Sequence, residues 1–254
     1  MRKNPLVILL ASLWLAAMFP CLVFAAPSGE AAKDRFSQGV AALGQGDPAG
    51  AVEKFTAALN LDPEMVEAYI NRGIAYLKLE QYVDAVTDLD QAIELDPQAT
   101  EAYYNRALAY SRQGLYDKAL QDYTQALKYA PKDWQIYYNR GNAYLDLNKA
   151  QEALNDYQKA LKIRPHAPEI LQNRGRAYIF LGEAELALED AEAVLELNPN
   201  FARAYYTKAQ ALDKLGKKPE ALAAYREFLR MGNPSTDADL LQKALARLKE
   251  LEGK

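Results

Sequence analysis

Asn71, Asn105, Asn139 and Asn173 follow one another at intervals of 34 residues, with Ser37 and Thr207 one interval further out on either side. A side-chain amide carries donors and an acceptor, so a column of them can hold an extended peptide backbone whatever its side chains. The same amides serve equally well in hydrogen bonds internal to a fold. Two further columns carry charge. Arg72, Arg106, Arg140 and Arg174, continued by Lys208, recur at this interval, and so do Asp88, Asp122, Asp156 and Asp190. Both columns are missing in the first unit, where Gln38 and Lys54 stand, and the acid becomes Ala224 in the last. Their joint appearance predicts an Arg–Asp ladder, paired either within units or from each Asp to the Arg of the next unit. Such a ladder fixes register more than it adds stability.

Enzymatic chemistry has little to stand on. The chain has one histidine, His166, lodged between Pro165 and Pro168, and its one cysteine, Cys21, lies in an apolar leader. Histidine-based triads and Cys/His metal sites therefore cannot be assembled in the mature chain. There is no P-loop, no GxGxxG and no EF-hand spacing. Acids such as Glu67, Glu101 and Glu169 recur in register with the repeat, as a solvated rim does. The expectation is a non-enzymatic protein with no cofactor and no metal.

The interval itself says what must position these columns. Pro63, Pro97, Pro131, Pro165 and Pro199 stand 34 residues apart, marking uninterrupted joints between six units, 32–65, 66–99, 100–133, 134–167, 168–201 and 202–235. Each unit holds two stretches with a period near 3.6, an antiparallel helix pair. Gly46, Gly114, Gly182 and Gly216 supply the turn between them, with Glu80 and Asn148 in that place in two units. Ala51, Ala85, Ala119, Ala153, Ala187 and Ala221 form an unbroken small column in the second helices. Gly39, Gly73, Ala107, Gly141, Gly175 and Ala209 form another in the first. Small residues let helix axes approach closely, and large ones such as Tyr103, Tyr110 and Tyr123 fill the space around them.

This pattern of aromatic, small residue, Tyr, Gly turn, Ala, aromatic, Ala and closing Pro, seen in Tyr103, Ala107, Tyr110, Gly114, Ala119, Tyr123, Ala126 and Pro131, resembles the tetratricopeptide repeat family. The resemblance covers residues 32–235 and implies an all-α, right-handed solenoid that acts as an interaction scaffold. It also implies that the first helices line a concave face. One column there is Phe36, Ile70, Tyr104, Tyr138, Gln172, Tyr206, and the next turn gives Val40, Ile74, Leu108, Asn142, Arg176, Gln210. The groove is thus expected to be apolar over units 1 to 3 and polar over units 4 to 6, with Phe36, Ile70, Ile74, Tyr104 and Leu108 as anchors. The segment before Ala32 offers an alternative cover for the apolar half. Some family members clamp a partner's terminal carboxylate. Asn142, Asn173 and Arg203 match parts of that clamp, but Tyr138 and Thr207 stand where two of its cations belong.

The ends complete the plan. Arg2 and Lys3, an apolar run to Ala26, Pro20 and the Ala25-Ala26 pair read as a secretory signal, 1–25, followed by a linker, 26–31. An uncleaved membrane anchor through residues 5–26 is the rival reading. Removing the leader leaves 28 Lys and Arg against 34 Asp and Glu, a net charge of −6 rather than −4. Such a chain invites neither nucleic acid nor an anionic membrane surface. Residues 236–254 read as a capping helix with Thr236 as its N-cap and Asp239 reaching back, or as a helix for a partner or for dimerisation. The expected whole is a periplasmic scaffold that binds a peptide or helix of a partner protein. The alternative is a structural subunit of an envelope assembly that uses its convex face or cap helix.

Overall fold

The computed structural model of the protein describes residues 28–253, so the expected leader, with its cleavage or anchoring, lies outside the described residues. The first helices of the six units are α1 (Ser28–Gly44), α3 (Val66–Lys78), α5 (Thr100–Arg112), α7 (Trp134–Asp146), α9 (Pro168–Leu181) and α11 (Ala202–Lys214). Their second helices are α2 (Pro48–Leu61), α4 (Tyr82–Leu95), α6 (Tyr116–Tyr129), α8 (Ala150–Ile163), α10 (Ala184–Leu197) and α12 (Lys218–Met231), and α13 (Ala238–Glu252) closes the array. Each helix packs on the one before it, and first helices also touch first helices of neighbouring units, giving an all-α solenoid.

Two expectations at the ends are corrected. The linker 26–31 is helical from Ser28 onward, because Ala32 is fully buried and Glu30 places an acid in the first turn of α1, where the helix dipole favours it. The Thr236–Asp239 capping box does not form. Asp237 is the N-cap residue of α13, and its carboxylate instead turns back to accept from the Asn233 backbone N–H at 3.1 Å.

Between the helices of a unit the chain reverses through a left-handed residue. Gly46, Gly114, Gly182 and Gly216 adopt φ of 72–83°, and Glu80 and Asn148 take the same turn at 60° and 58°. The non-glycine turns are the same turn with a side chain added.

Packing inside a unit rests on a large side chain laid over a small one. A Cβ placed on Gly141 would meet the Tyr157 ring at 2.7 Å, and one on Gly73 would meet Leu89 at 2.9 Å. The absent Cβ is what admits the second helix so closely. The first helix adds its own ring beside it: Phe36 on Phe55 at 5.6 Å between centroids, Tyr104 on Tyr123 at 6.1 Å, and Tyr138 on Tyr157 and Tyr206 on Tyr225 each at 6.2 Å. Unit 2 fills this layer with Ile70 and Leu89, but unit 5 has Gln172 and Ala191. There the nearest atom to a Gly175 Cβ belongs to the next unit, Thr207 Cγ2 at 3.3 Å.

The charge ladder pairs within units. Arg72 with Asp88, Arg106 with Asp122, Arg140 with Asp156 and Arg174 with Asp190 each make two bonds of 2.6–2.8 Å in fork geometry. All four carboxylates are buried. A third donor then reaches back to the preceding unit: Arg72 to Thr56, Arg106 to Asp90 and Arg140 to Thr124, at 2.5–3.1 Å. Lys208 makes the same crossing to Glu192 at 2.8 Å. Burial by itself would lower the Arg106 pKa, but the bonds and charges of Asp122 and Asp90 outweigh it and hold the guanidinium above its ordinary value. Each guanidinium also lies 5.6–5.8 Å from the centroid of a tyrosine ring, Tyr69, Tyr103, Tyr137 or Tyr178.

At the C-terminal end, Arg203 on α11 donates from Nε to buried Asp237 at 2.6 Å and from Nη2 to the Thr236 carbonyl at 3.2 Å. Arg247 of α13 pairs with Asp213 at 2.6 Å, and Ala244 is fully buried beneath the helix. The closing helix is therefore held at both ends as well as by its apolar face.

Two measurements check this packing. Gly141→Ala is expected to lower unfolding stability by about 1–3 kcal/mol, because the ring above it has no room. Gly175→Ala is expected to be neutral or to stabilise by up to about 1 kcal/mol through helix propensity, both read from urea midpoints. Asp237→Ala is expected to raise amide hydrogen exchange across residues 238–252 while leaving units 1 to 4 protected; unchanged exchange would remove the pin from the account.

Candidate partner-binding cleft

On the concave side a cleft of about 950 Å³ opens over units 4 to 6. Its floor comes from α7, α9 and α11, and Asp239, Leu240 and Lys243 of α13 form the far wall. Seven residues expected from sequence to meet a partner line it: Tyr138, Asn142, Gln172, Asn173, Arg176, Arg203 and Tyr206. The other nine, Phe36, Val40, Ile70, Asn71, Ile74, Tyr104, Asn105, Leu108 and Asn139, lie outside it.

The apolar half does not present the exposed strip expected of it. Phe36 and Tyr104 pack on Phe55 and Tyr123, Ile70 is buried, and Ile74 and Leu108 pack against the cores of units 2 and 3. Val40 alone of this set is exposed, at 44%. Columns that read as groove anchors are largely the inner layer of the solenoid, because at each position the second helix supplies a large residue that needs a cover.

The asparagine column divides at unit 4. Asn71 and Asn105 donate to the carbonyls of Glu67 and Glu101 one turn back, each at 2.8 Å, so their donors serve their own helices. Asn139 donates to the Gln135 carbonyl and, across the unit boundary, to Tyr104 Oη at 2.9 Å. Asn173 instead donates to Tyr138 Oη at 3.1 Å and Asn142 Oδ1 at 2.9 Å, and Asn142 also accepts from the Tyr157 hydroxyl at 2.8 Å. Arg176 Nη1 donates to Asn173 Oδ1 at 3.2 Å and completes a polar seam along the cleft floor. The partial carboxylate clamp is thereby occupied internally: Asn142 and Asn173 hold each other, and Arg203 holds Asp237.

Gln172 sits where sibling units place a ring or isoleucine. It is 4% exposed, and its Nε2 donates to Thr207 Oγ1 at 2.9 Å and the Arg203 carbonyl at 3.4 Å. That carbonyl can only accept, which orients the amide and leaves Oε1 without a partner. With Ala191 opposite, no ring separates α9 from α11, and the two helices are joined directly through this amide.

Charge in the cleft is partly spent. Arg203 is paired with Asp237, Lys243 with Asp239 at 2.6 Å, and Glu169 with Arg164 at 2.8 Å. Arg176 and Lys214 make no ion pair among the described residues, and Asp146 faces them from α7. Partial desolvation raises the pKa of the solvent-exposed Asp146 carboxyl, against the opposing pull of Arg176 and a hydrogen bond from Tyr116. Sequence reasoning passed over Asp146, Phe180 and Lys214, which share one column with Gly44, Lys78 and Arg112. The signal was available at Phe180, an aromatic in an otherwise polar or glycine column. The α13 wall had no such signal.

Comparison with known proteins agrees with this architecture. No curated protein matches the chain significantly. Among solved structures, a tetratricopeptide repeat protein from Parabacteroides merdae aligns with a TM-score of 0.73 at 20% identity, covering 88% of each chain. PilF of Pseudomonas aeruginosa gives 0.73 at 17% identity, covering 87% of this chain and 100% of that one. YrrB, described as having an unusual peptide-binding site, gives 0.65 at 24% identity, covering 77% and 99%. At these identities the likeness is one of fold. The tetratricopeptide repeat profile itself matches residues 36–100, 71–124, 104–168 and 173–236. With the helix pairs, the small columns and this match across most of its length, the chain belongs to the tetratricopeptide repeat family, whose members are protein-interaction scaffolds.

Proposed function

We propose that this protein binds a peptide segment of a partner protein in the concave cleft over units 4 to 6, with α13 as its far wall. The observation that carries the reading is the coincidence of the cleft with the place where the repeat columns stop repeating. Here Asn142, Asn173, Arg176, Phe180, Gln210 and Lys214 converge on open space beside Tyr138 and Tyr206, whose rings also cover the core. A mostly preformed concavity with a few placed polar groups is the usual form of a binding site. The solenoid supplies rigidity, so little ordering cost falls on the scaffold side.

The leader-like residues 1–25 support export, with action in the bacterial cell envelope, either free in the periplasm or held through residues 5–26. The second reading, a structural subunit using its convex face, draws on Leu61, Tyr129, Ile163 and Leu197, which are 40–49% exposed at matching ends of second helices.

Site-directed photo-crosslinking separates the two. A photoreactive phenylalanine analogue in place of Gln210, on the cleft floor, is expected to capture a partner in intact cells, and one in place of Leu197, 49% exposed at the end of α10, is not. Adducts formed at Leu197 and absent at Gln210 would overturn the cleft reading in favour of the assembly one.

A further inference from the structure

On one face of α9, unit 5 departs from its siblings at three successive turns. At Gln172 the other units carry Phe36, Ile70, Tyr104, Tyr138 and Tyr206; at Arg176 they carry Val40, Ile74, Leu108, Asn142 and Gln210. At Phe180 they carry Gly44, Lys78, Arg112, Asp146 and Lys214. Spacing of four residues aligns the three side chains along the helix, and all three line the cleft. Phe180 is 61% exposed, an isolated ring standing at the lip beside Ile179.

Resting on the reading that the cleft takes a peptide, we infer that it is specific for an acidic segment within a partner chain. A side-chain carboxylate of that segment meets Arg176 and Lys214, and an adjoining apolar side chain lies on Phe180. Charge complementarity names the class. The other cations of the cleft are neutralised by the protein's own acids, so Arg176 and Lys214 outnumber the one facing acid without an ion pair, Asp146. A guanidinium offers a carboxylate two parallel donors, and a concave wall strengthens the pairing relative to open surface. The Phe180 ring supplies the apolar contact that charge alone lacks. Because the partial terminal-carboxylate clamp is occupied internally, the segment does not need to end at the site.

The test pans phage-displayed random peptides, each ~12 residues or about 40 Å when extended, on the intact protein. Enriched peptides are then resynthesised with amidated C-termini. The inference expects Asp or Glu beside a large apolar residue, with affinity falling about tenfold or more in Arg176→Glu and dropping with added salt. Asp146→Asn is expected to tighten binding, since it removes the opposing carboxylate, and panning on Arg176→Glu/Lys214→Glu is expected to select basic peptides instead. These side chains are at the surface, so unchanged thermal melting of each variant shows that folding is not the cause. Neutral or basic peptides on the wild-type protein, or affinity held within about twofold in Arg176→Glu, would overturn the acidic specificity. If such peptides are still blocked by Gln210→Trp, the cleft reading survives that result. Peptides indifferent to Gln210→Trp would overturn both.

Discussion

A large side chain lying over a small residue sets the distance between the two helices of a unit, and most of the structure follows from that distance. Where Tyr157 covers Gly141 or Leu89 covers Gly73, the covering side chain occupies the space a Cβ would need. The first helix must then lay its own large residue beside the cover, which is why Phe36, Tyr104, Tyr138 and Tyr206 turn inward. The Arg–Asp forks join the same two helices of each unit. They stabilise little net of desolvation, but they hold each unit in one orientation, and the third donor of Arg72, Arg106 and Arg140 carries that orientation to the preceding unit.

Function enters where this layer is interrupted. Gln172 and Ala191 replace the large pair in unit 5, so Gly175 loses its cover and α11 comes into direct contact with α9. The concave face there carries Arg176 and Phe180 on the turns that follow Gln172. Closure by α13, pinned through Arg203 and Asp237, gives the opening a second wall. One substitution pattern thus connects packing, local geometry and a site. These six units carry no inserted loop on which to build specificity, and departure from their own columns takes that role.

Much of this was legible in the sequence because the period is strict. The six helix pairs, their turns and the Arg–Asp columns follow from spacing alone, and even Glu80 and Asn148 adopt the left-handed turn of the glycines they replace. The register of the ladder was not legible, since an Asp lies a similar number of residues from two arginines, and only side-chain geometry separates them. Nor was the crossing through Thr56, Asp90 and Thr124, whose residue types vary while their place does not. The apolar groove over units 1 to 3 misled for a physical reason. An aromatic column at helical spacing looks the same from sequence whether it faces a partner or its own second helix. The companion column of Phe55, Leu89, Tyr123, Tyr157, Ala191 and Tyr225 holds the answer for units 1 to 3, because the large residue there packs against its first-helix neighbour.

The central claim is that the interrupted layer of unit 5 builds the binding cleft, and restoring the layer tests it most directly. Gln172→Tyr/Ala191→Tyr returns unit 5 to the pair found in units 3, 4 and 6. The quantity to measure is the dissociation constant of a cleft-directed peptide, alongside the melting temperature. The account predicts a folded protein that has lost peptide affinity by about tenfold or more. A folded double variant that binds the same peptide with unchanged affinity would contradict it.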